Sequence, residues 1–104
     1  MTGDQPLKIA VVGAGLMGRW HAYFATRAGA TVTAVVDPDT VAAKRLAQRF
    51  RGAATAPALE SALREHQVDV VHICVPTSAH FPLAYTALSR QRHVLVEKPM
   101  TPTA

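Results

Sequence analysis

Three glycines and one carboxylate carry the first chemical signal in this chain. Gly13-Ala14-Gly15-Leu16-Met17-Gly18 has the spacing G-x-G-x-x-G, and Asp37 stands 19 positions beyond its last glycine. Diphosphate chemistry needs these residue types in this order. Gly13 makes a tight turn, Gly15 lets a backbone reach a pyrophosphate with no Cβ between them, and Gly18 lets the next helix lie close to a sheet. The N–H groups and dipole at that helix start favour a diphosphate. Leu16 and Met17, between the second and third glycines, join the same cofactor-binding set. A carboxylate at Asp37 accepts hydrogen bonds from adenosine ribose hydroxyls and repels a 2′-phosphate. Pro38 and Asp39 follow it, so no adjacent arginine welcomes that phosphate, which favours NAD over NADP. Two plainer readings stand beside these: a tight strand–helix turn that binds nothing, and an Asp37 that merely starts a turn with Pro38. Asp39 reads as a helix cap.

The fingerprint has meaning only if a strand precedes it and a helix follows. Continuous apolar runs at Ile9–Val12, Val32–Val36 and Val94–Val96, and a fourth at Val70–Val75 broken by His72, suit strands covered on both faces. Ala53–Ala56 supplies a short further strand. A helix over Leu16–Ala28 stops at Gly29. Asp39 caps a second helix running to about Arg51, with Ala43, Leu46, Ala47 and Phe50 on one face and Gly52 ending it. A third begins at Pro57 and buries Leu59, Ala62 and Leu63. Ser78 caps a fourth, to about Arg90. Strand–helix alternation of this kind predicts an α/β fold, a doubly wound parallel sheet of order 3-2-1-4-5. Its ligand crevice lies at the carboxyl ends of the strands, between the first and fourth.

The C-terminal stretch makes the reading specific. His72-Ile73-Cys74-Val75-Pro76-Thr77-Ser78-Ala79-His80 is followed, thirteen residues on, by His93-Val94-Leu95-Val96-Glu97-Lys98-Pro99-Met100. With the glycine loop, Met17, Gly18 and His21, these segments resemble the glucose–fructose oxidoreductase and inositol dehydrogenase family (Gfo/Idh/MocA), and Glu-Lys-Pro is its most telling motif. The resemblance implies hydride transfer between NAD or NADP and a sugar, inositol or similar polyol. It implies that Lys98 is catalytic, beside the nicotinamide ribose and bonded to the reacting hydroxyl or carbonyl, where a cation stabilises a developing oxyanion. Glu97 would face the cofactor or position Lys98, and Pro99 would fix the turn that aims them. Val75, Pro76 and Thr77 would line the cofactor crevice. His80 is either a nicotinamide neighbour or a helix-start histidine with a structural bond. His21 and His93 read as structural, His72 as a strand residue with a backbone or water partner, and His66 as a surface residue. No pair of His, Cys or carboxylates has metal-ligand spacing, so no metal is expected.

Composition bounds the alternatives. At 104 residues the chain fits one dinucleotide-binding domain, 1–104, and an apolar share of 49% argues against disorder. Net charge is +4, with a local cluster at Lys44, Arg45, Arg49 and Arg51. No aromatic residues interleave those charges to stack on bases, so the cluster reads as a solvated helix face and no nucleic-acid partner is expected. No apolar stretch approaches 18 residues, so no membrane partner is expected. The lone Cys74 reads as a buried thiol in a reducing compartment, which makes a cytoplasmic protein the expectation.

The resemblance also implies parts beyond these residues: a helix and sixth strand to complete the Rossmann domain, and a larger α/β domain for substrate contacts and a homo-oligomer interface. The 104 residues are expected to lack both and to show no turnover alone. Val94–Val96 would then be an unpaired apolar edge prone to self-association. A second class stays open, a stand-alone dinucleotide-binding module or sensor without catalysis. Lys98 in its full motif favours the dehydrogenase, because a sensor has no need of a catalytic lysine.

Overall fold

The computed structural model describes residues 6–75 and 80–96. Its elements alternate as the apolar runs predict: β1 (Lys8–Val12), α1 (Leu16–Arg27), β2 (Thr31–Val36), α2 (Thr40–Ala47), β3 (Ala54–Ala56), α3 (Leu59–Glu65), β4 (Val70–Ile73), α4 (His80–Ser89) and β5 (His93–Val96). The five strands form one parallel sheet of order β3-β2-β1-β4-β5. The register of β1 on β2 shifts once, between Ile9 and Ala10.

Both sheet faces are covered, which is why the strands are apolar without alternation. On one face Ala10, Val12, Ala34, Val36, Val71 and Ile73 pack against Leu59, Ala62 and Leu63 of α3 and Ala87 of α4. On the other, Ile9, Val11, Val32 and Val35 pack against Ala22 of α1 and Ala43, Leu46 and Ala47 of α2. At the described sheet's edge, Leu95 of β5 is 44% exposed.

Several boundaries differ from expectation. The second helix ends at Ala47, not near Arg51, and residues 48–52 form turns that close on Gly52 at φ +79°. Phe50 leaves the helix yet still packs against the α2 side of the core. The third helix starts at Leu59 with Ala58 as its N-cap, two residues after Pro57. The fourth strand stops at Ile73, so Cys74 is half-buried rather than buried. The predicted Ser78 cap lies outside the described residues.

Candidate cofactor site

The glycine loop joins β1 to α1 at the carboxyl edge of the sheet, and its three glycines have three different physical reasons. Gly13 has φ +104°, a conformation L side chains rarely adopt. A Cβ there would also lie 2.6 Å from the Cys74 carbonyl oxygen and 2.9 Å from Val75 Cγ1. The chain leaving β4 therefore runs against this turn, which the turn's own sequence does not reveal. Gly13 N–H donates to the Val36 carbonyl (2.8 Å) and Cys74 N–H to the Val12 carbonyl (2.8 Å), so three strand ends are tied together here. Gly18, inside α1, would place a Cβ 1.7 Å from the Gly13 carbonyl oxygen. The helix is thus pressed onto the loop itself, and only the absence of a side chain permits it.

Gly15 is the odd one. Its φ of −76° is open to any residue, and a Cβ built on it meets nothing within 4 Å. Among the described residues nothing requires glycine at this position. A backbone that must be approached from outside does require it, and that is the fit expected for a dinucleotide diphosphate. Gly15 is also the N-cap of α1 and offers no side-chain bond to that helix start.

Asp37 sits just past β2, half-buried. Its Oδ2 accepts from Ala14 N–H (2.8 Å) and its Oδ1 from Asp39 N–H (2.8 Å). The second bond is the turn with Pro38 that the plainer reading foresaw. The first reaches back 23 residues and pins the glycine loop. An ionised carboxylate has roughly four acceptor sites, so two backbone donors leave room for ribose hydroxyls. Asp39 is the cap of α2, its Oδ1 accepting from Ala42 N–H at 3.1 Å.

Beyond the loop lies an apolar cavity of about 530 Å³ lined by Val12, Gly13, Asp37, Pro57, Leu59 and Val75, among others. It gathers the ends of β1 and β2, the start of α3 and the exit of β4 in one place. Val75 is among the residues that line this cavity. Leu16 is exposed and Met17 half-buried at the start of α1. His80 opens α4. Pro76, Thr77, Glu97, Lys98 and Pro99 lie outside the described residues.

The remaining histidines are elsewhere. The rings of His21 and His72 meet edge-on at 6.2 Å, under α1. His93 is exposed, and His66, expected at the surface, is half-buried at the end of α3. Among the described residues no three His, Cys, Asp or Glu side chains are grouped to hold a metal. No helix among them is long and apolar enough to cross a membrane.

One feature of the site was not legible from spacing. Lys44, Arg45 and Arg49 are exposed on or just after α2, as a solvated face should be. Yet Arg45 and Arg49 also line a groove with Arg19 of α1, beside Ala14 and Gly15. The groove continues between the two helices past Trp20, Tyr23 and Phe50. Neither helix alone contains it, and the aromatic residues absent from the α2 sequence come largely from α1.

The sequence matches the Gfo/Idh/MocA family, described as an oxidoreductase family with an NAD-binding Rossmann fold, over residues 7–104. An inositol 2-dehydrogenase of Corynebacterium glutamicum (strain R) is 37% identical over 101 residues, 95% of this chain and 30% of that protein. The myo-inositol dehydrogenase of Lactobacillus casei, solved with NAD(H) and myo-inositol, superposes with a TM-score of 0.83 at 33% identity, over 91% of this chain and 29% of that one. A protein of gentamicin A biosynthesis, solved with NAD, gives 0.84 at 38% identity, over 90% and 27%. The chain spans about 30% of the length of the curated relatives it matches.

Proposed function

Because this chain belongs to the Gfo/Idh/MocA oxidoreductase family with its NAD-binding Rossmann fold, we propose that residues 1–104 are the cofactor-binding domain of an NAD-dependent dehydrogenase acting on an inositol, sugar or similar polyol. The observation that carries the reading is Gly15, a glycine that neither backbone conformation nor packing demands, at the mouth of a loop whose other two glycines are demanded by both or by packing. An inositol dehydrogenase and an NAD-bound structure among the relatives support the substrate class and the cofactor.

In this reading the backbone at Gly15, Leu16 and Met17 holds the diphosphate, on a cofactor-binding loop that Gly13 and Gly18 shape. Asp37 accepts the adenosine ribose hydroxyls while it fixes Ala14. Val75, Pro76, Thr77 and His80 border the crevice, and Glu97 positions Lys98. Bound nicotinamide supplies the acceptor for the hydride that leaves the carbinol carbon. The Lys98 Nζ hydrogen-bonds the hydroxyl, its charge favours the oxygen as negative charge develops there, and the proton lost as the alcohol becomes a carbonyl passes to solvent water. A reducing, cytoplasmic setting is part of the proposal, and a single cysteine among these 104 residues supports it. A homo-oligomer that engages neither nucleic acid nor membrane completes the proposal, and a monomeric mass for the intact protein in sedimentation would remove the oligomer from it.

The test is NADH formation by the intact protein with NAD and a panel of inositols and sugars. Turnover with a polyol, abolished in Lys98→Ala, is expected. Tight NAD binding without turnover on any polyol or sugar would instead point to a dinucleotide-binding sensor.

A further inference from the structure

The chain's single tryptophan, Trp20, stands on α1 with Tyr23 and Phe24, and all three rings are about half exposed. They hold one another in place. Trp20 stacks on Phe24 with ring centroids 5.5 Å apart, and Phe24 meets Tyr23 edge-on at 5.8 Å. Arg27 lies over the Tyr23 ring and donates to its hydroxyl at 2.9 Å. Trp20 and Tyr23 also form the α1 side of a groove of about 680 Å³, with Leu46 and Phe50 on its α2 side. Leu46 is buried and Phe50 half-buried, so the groove deepens toward α2. Its charged lining is Arg19 and Arg49, both exposed. Among the described residues no carboxylate lines the groove or pairs with either arginine; the ion pair formed there, Arg90 with Glu60, belongs to α4 and α3.

We infer that this groove is a binding site for a planar aromatic carboxylate, separate from the dinucleotide site. The inference goes beyond the cofactor reading and does not depend on it. Small-molecule sites are concave, mostly apolar and aromatic, and carry a few polar groups that fix orientation. Here the Trp20, Tyr23 and Phe50 rings offer faces and edges for a flat ligand to pack on. The two guanidinium groups, each a planar fork matched to carboxylate oxygens, supply the orientation. A monoanion suits the groove better than a dianion, because its lining is largely apolar and desolvating charge is costly. The rings are already ordered by their neighbours, so a ligand loses little by fixing them. A second copy of the chain fits poorly, since a two-fold contact would set these arginines against their own copies. Among the described residues that line the groove, Leu16 alone also belongs to the glycine loop. The groove lies between helices and not at the carboxyl ends of the strands, so its ligand is not the reacting substrate.

Titration of the intact protein with 2-naphthoate tests this, followed by calorimetry and by the Trp20 fluorescence that a Trp20→Phe variant lacks. The expected result is one saturable site with a Kd of about 1 mM or tighter. Arg19→Ala and Arg49→Ala should each weaken it by about two- to fivefold, the scale of one exposed charge pair. Trp20→Ala should weaken it by about fivefold through lost stacking. Lys44→Ala, on α2 but outside the groove, should change nothing. These positions are exposed, so the circular-dichroism spectra should match the parent's. 2-Naphthamide keeps the rings without the charge, and cyclohexanecarboxylate keeps the charge without the flat ring. Each should bind about fivefold more weakly or worse. NAD at saturation should leave 2-naphthoate bound. A probe that NAD displaces places the groove in the cofactor site and overturns the inference. Trp20 fluorescence that acrylamide cannot quench in the intact protein reveals a polypeptide segment over the groove, and overturns it as well. So does the absence of saturable binding, or arginine and Trp20→Ala variants that bind 2-naphthoate as the parent does.

Discussion

Replacing Gly18 with alanine adds one methyl group at the most crowded point of the site. Its Cβ would stand 1.7 Å from the Gly13 carbonyl oxygen, 2.9 Å from Gly13 C and 3.4 Å from Val11 Cγ1. The first two are backbone atoms, so no side chain can swing away. Moving the methyl from 1.7 Å out to 3.0 Å requires α1 to retreat from the loop by about 1.3 Å. Gly18 and Ala22 are the buried residues of that helix, so the retreat also loosens its packing. Overpacking of a close-packed site costs about 1–3 kcal/mol, and an immovable backbone contact belongs at the upper end. Alanine returns about 1 kcal/mol through helix propensity. The net is destabilisation by about 2 kcal/mol, which for a domain near this size lowers Tm by roughly 8–16 °C. Thermal unfolding followed by circular dichroism reads it, with Gly15→Ala as the control. A Cβ at Gly15 meets nothing, so that variant should unfold within about 0.5 kcal/mol of the parent. A Gly18→Ala protein as stable as the control would refute the claim that α1 is docked onto the loop through a missing side chain.

Further outcomes follow from the same geometry. Gly15→Val should abolish dinucleotide binding while leaving the circular-dichroism spectrum unchanged, because its branched side chain stands where the diphosphate must approach; retained affinity in calorimetry would remove the loop from phosphate binding. Asp39→Ala deletes the bond to Ala42 N–H and should cost about 1 kcal/mol in urea unfolding, and an unchanged midpoint would deny it a capping role. Lys98→Ala in the intact protein should lower kcat by a large factor with little change in NAD affinity, since its main interaction is with charge that develops in the transition state. A loss confined to KM would reassign that lysine to ground-state binding.

What the sequence made legible was local. Continuous β-branched runs announced strands covered on both sides, and the strand–helix alternation led to the observed strand order. The Asp39 cap and the buried trio Leu59, Ala62 and Leu63 were visible as well. Features that depend on distant segments were not. The end of α2 at Ala47 was missed because Gln48, Arg49 and Phe50 carry no stop signal, and Phe50 packs inward from the turn as it would from a helix. Glycine spacing explained the Gly13 turn but not the Cys74 carbonyl that closes on it. The Asp37–Ala14 bond links β2 to the loop across 23 residues and has no sequence signature. The arginine groove needs α1 and α2 side by side; from spacing alone, Arg45 and Arg49 belong to a solvated face and Arg19 to another element.

The central claim, a loop built to receive a dinucleotide with Asp37 as its ribose acceptor, meets its most direct test in calorimetric titration of the protein with NAD(H) before and after Asp37→Ala. Saturable binding is expected in the parent. In the variant it should weaken by about tenfold or more, because ribose acceptors are lost together with the bond that holds Ala14 in place. Absence of NAD(H) binding to the parent, or undiminished binding to the variant, would contradict the account.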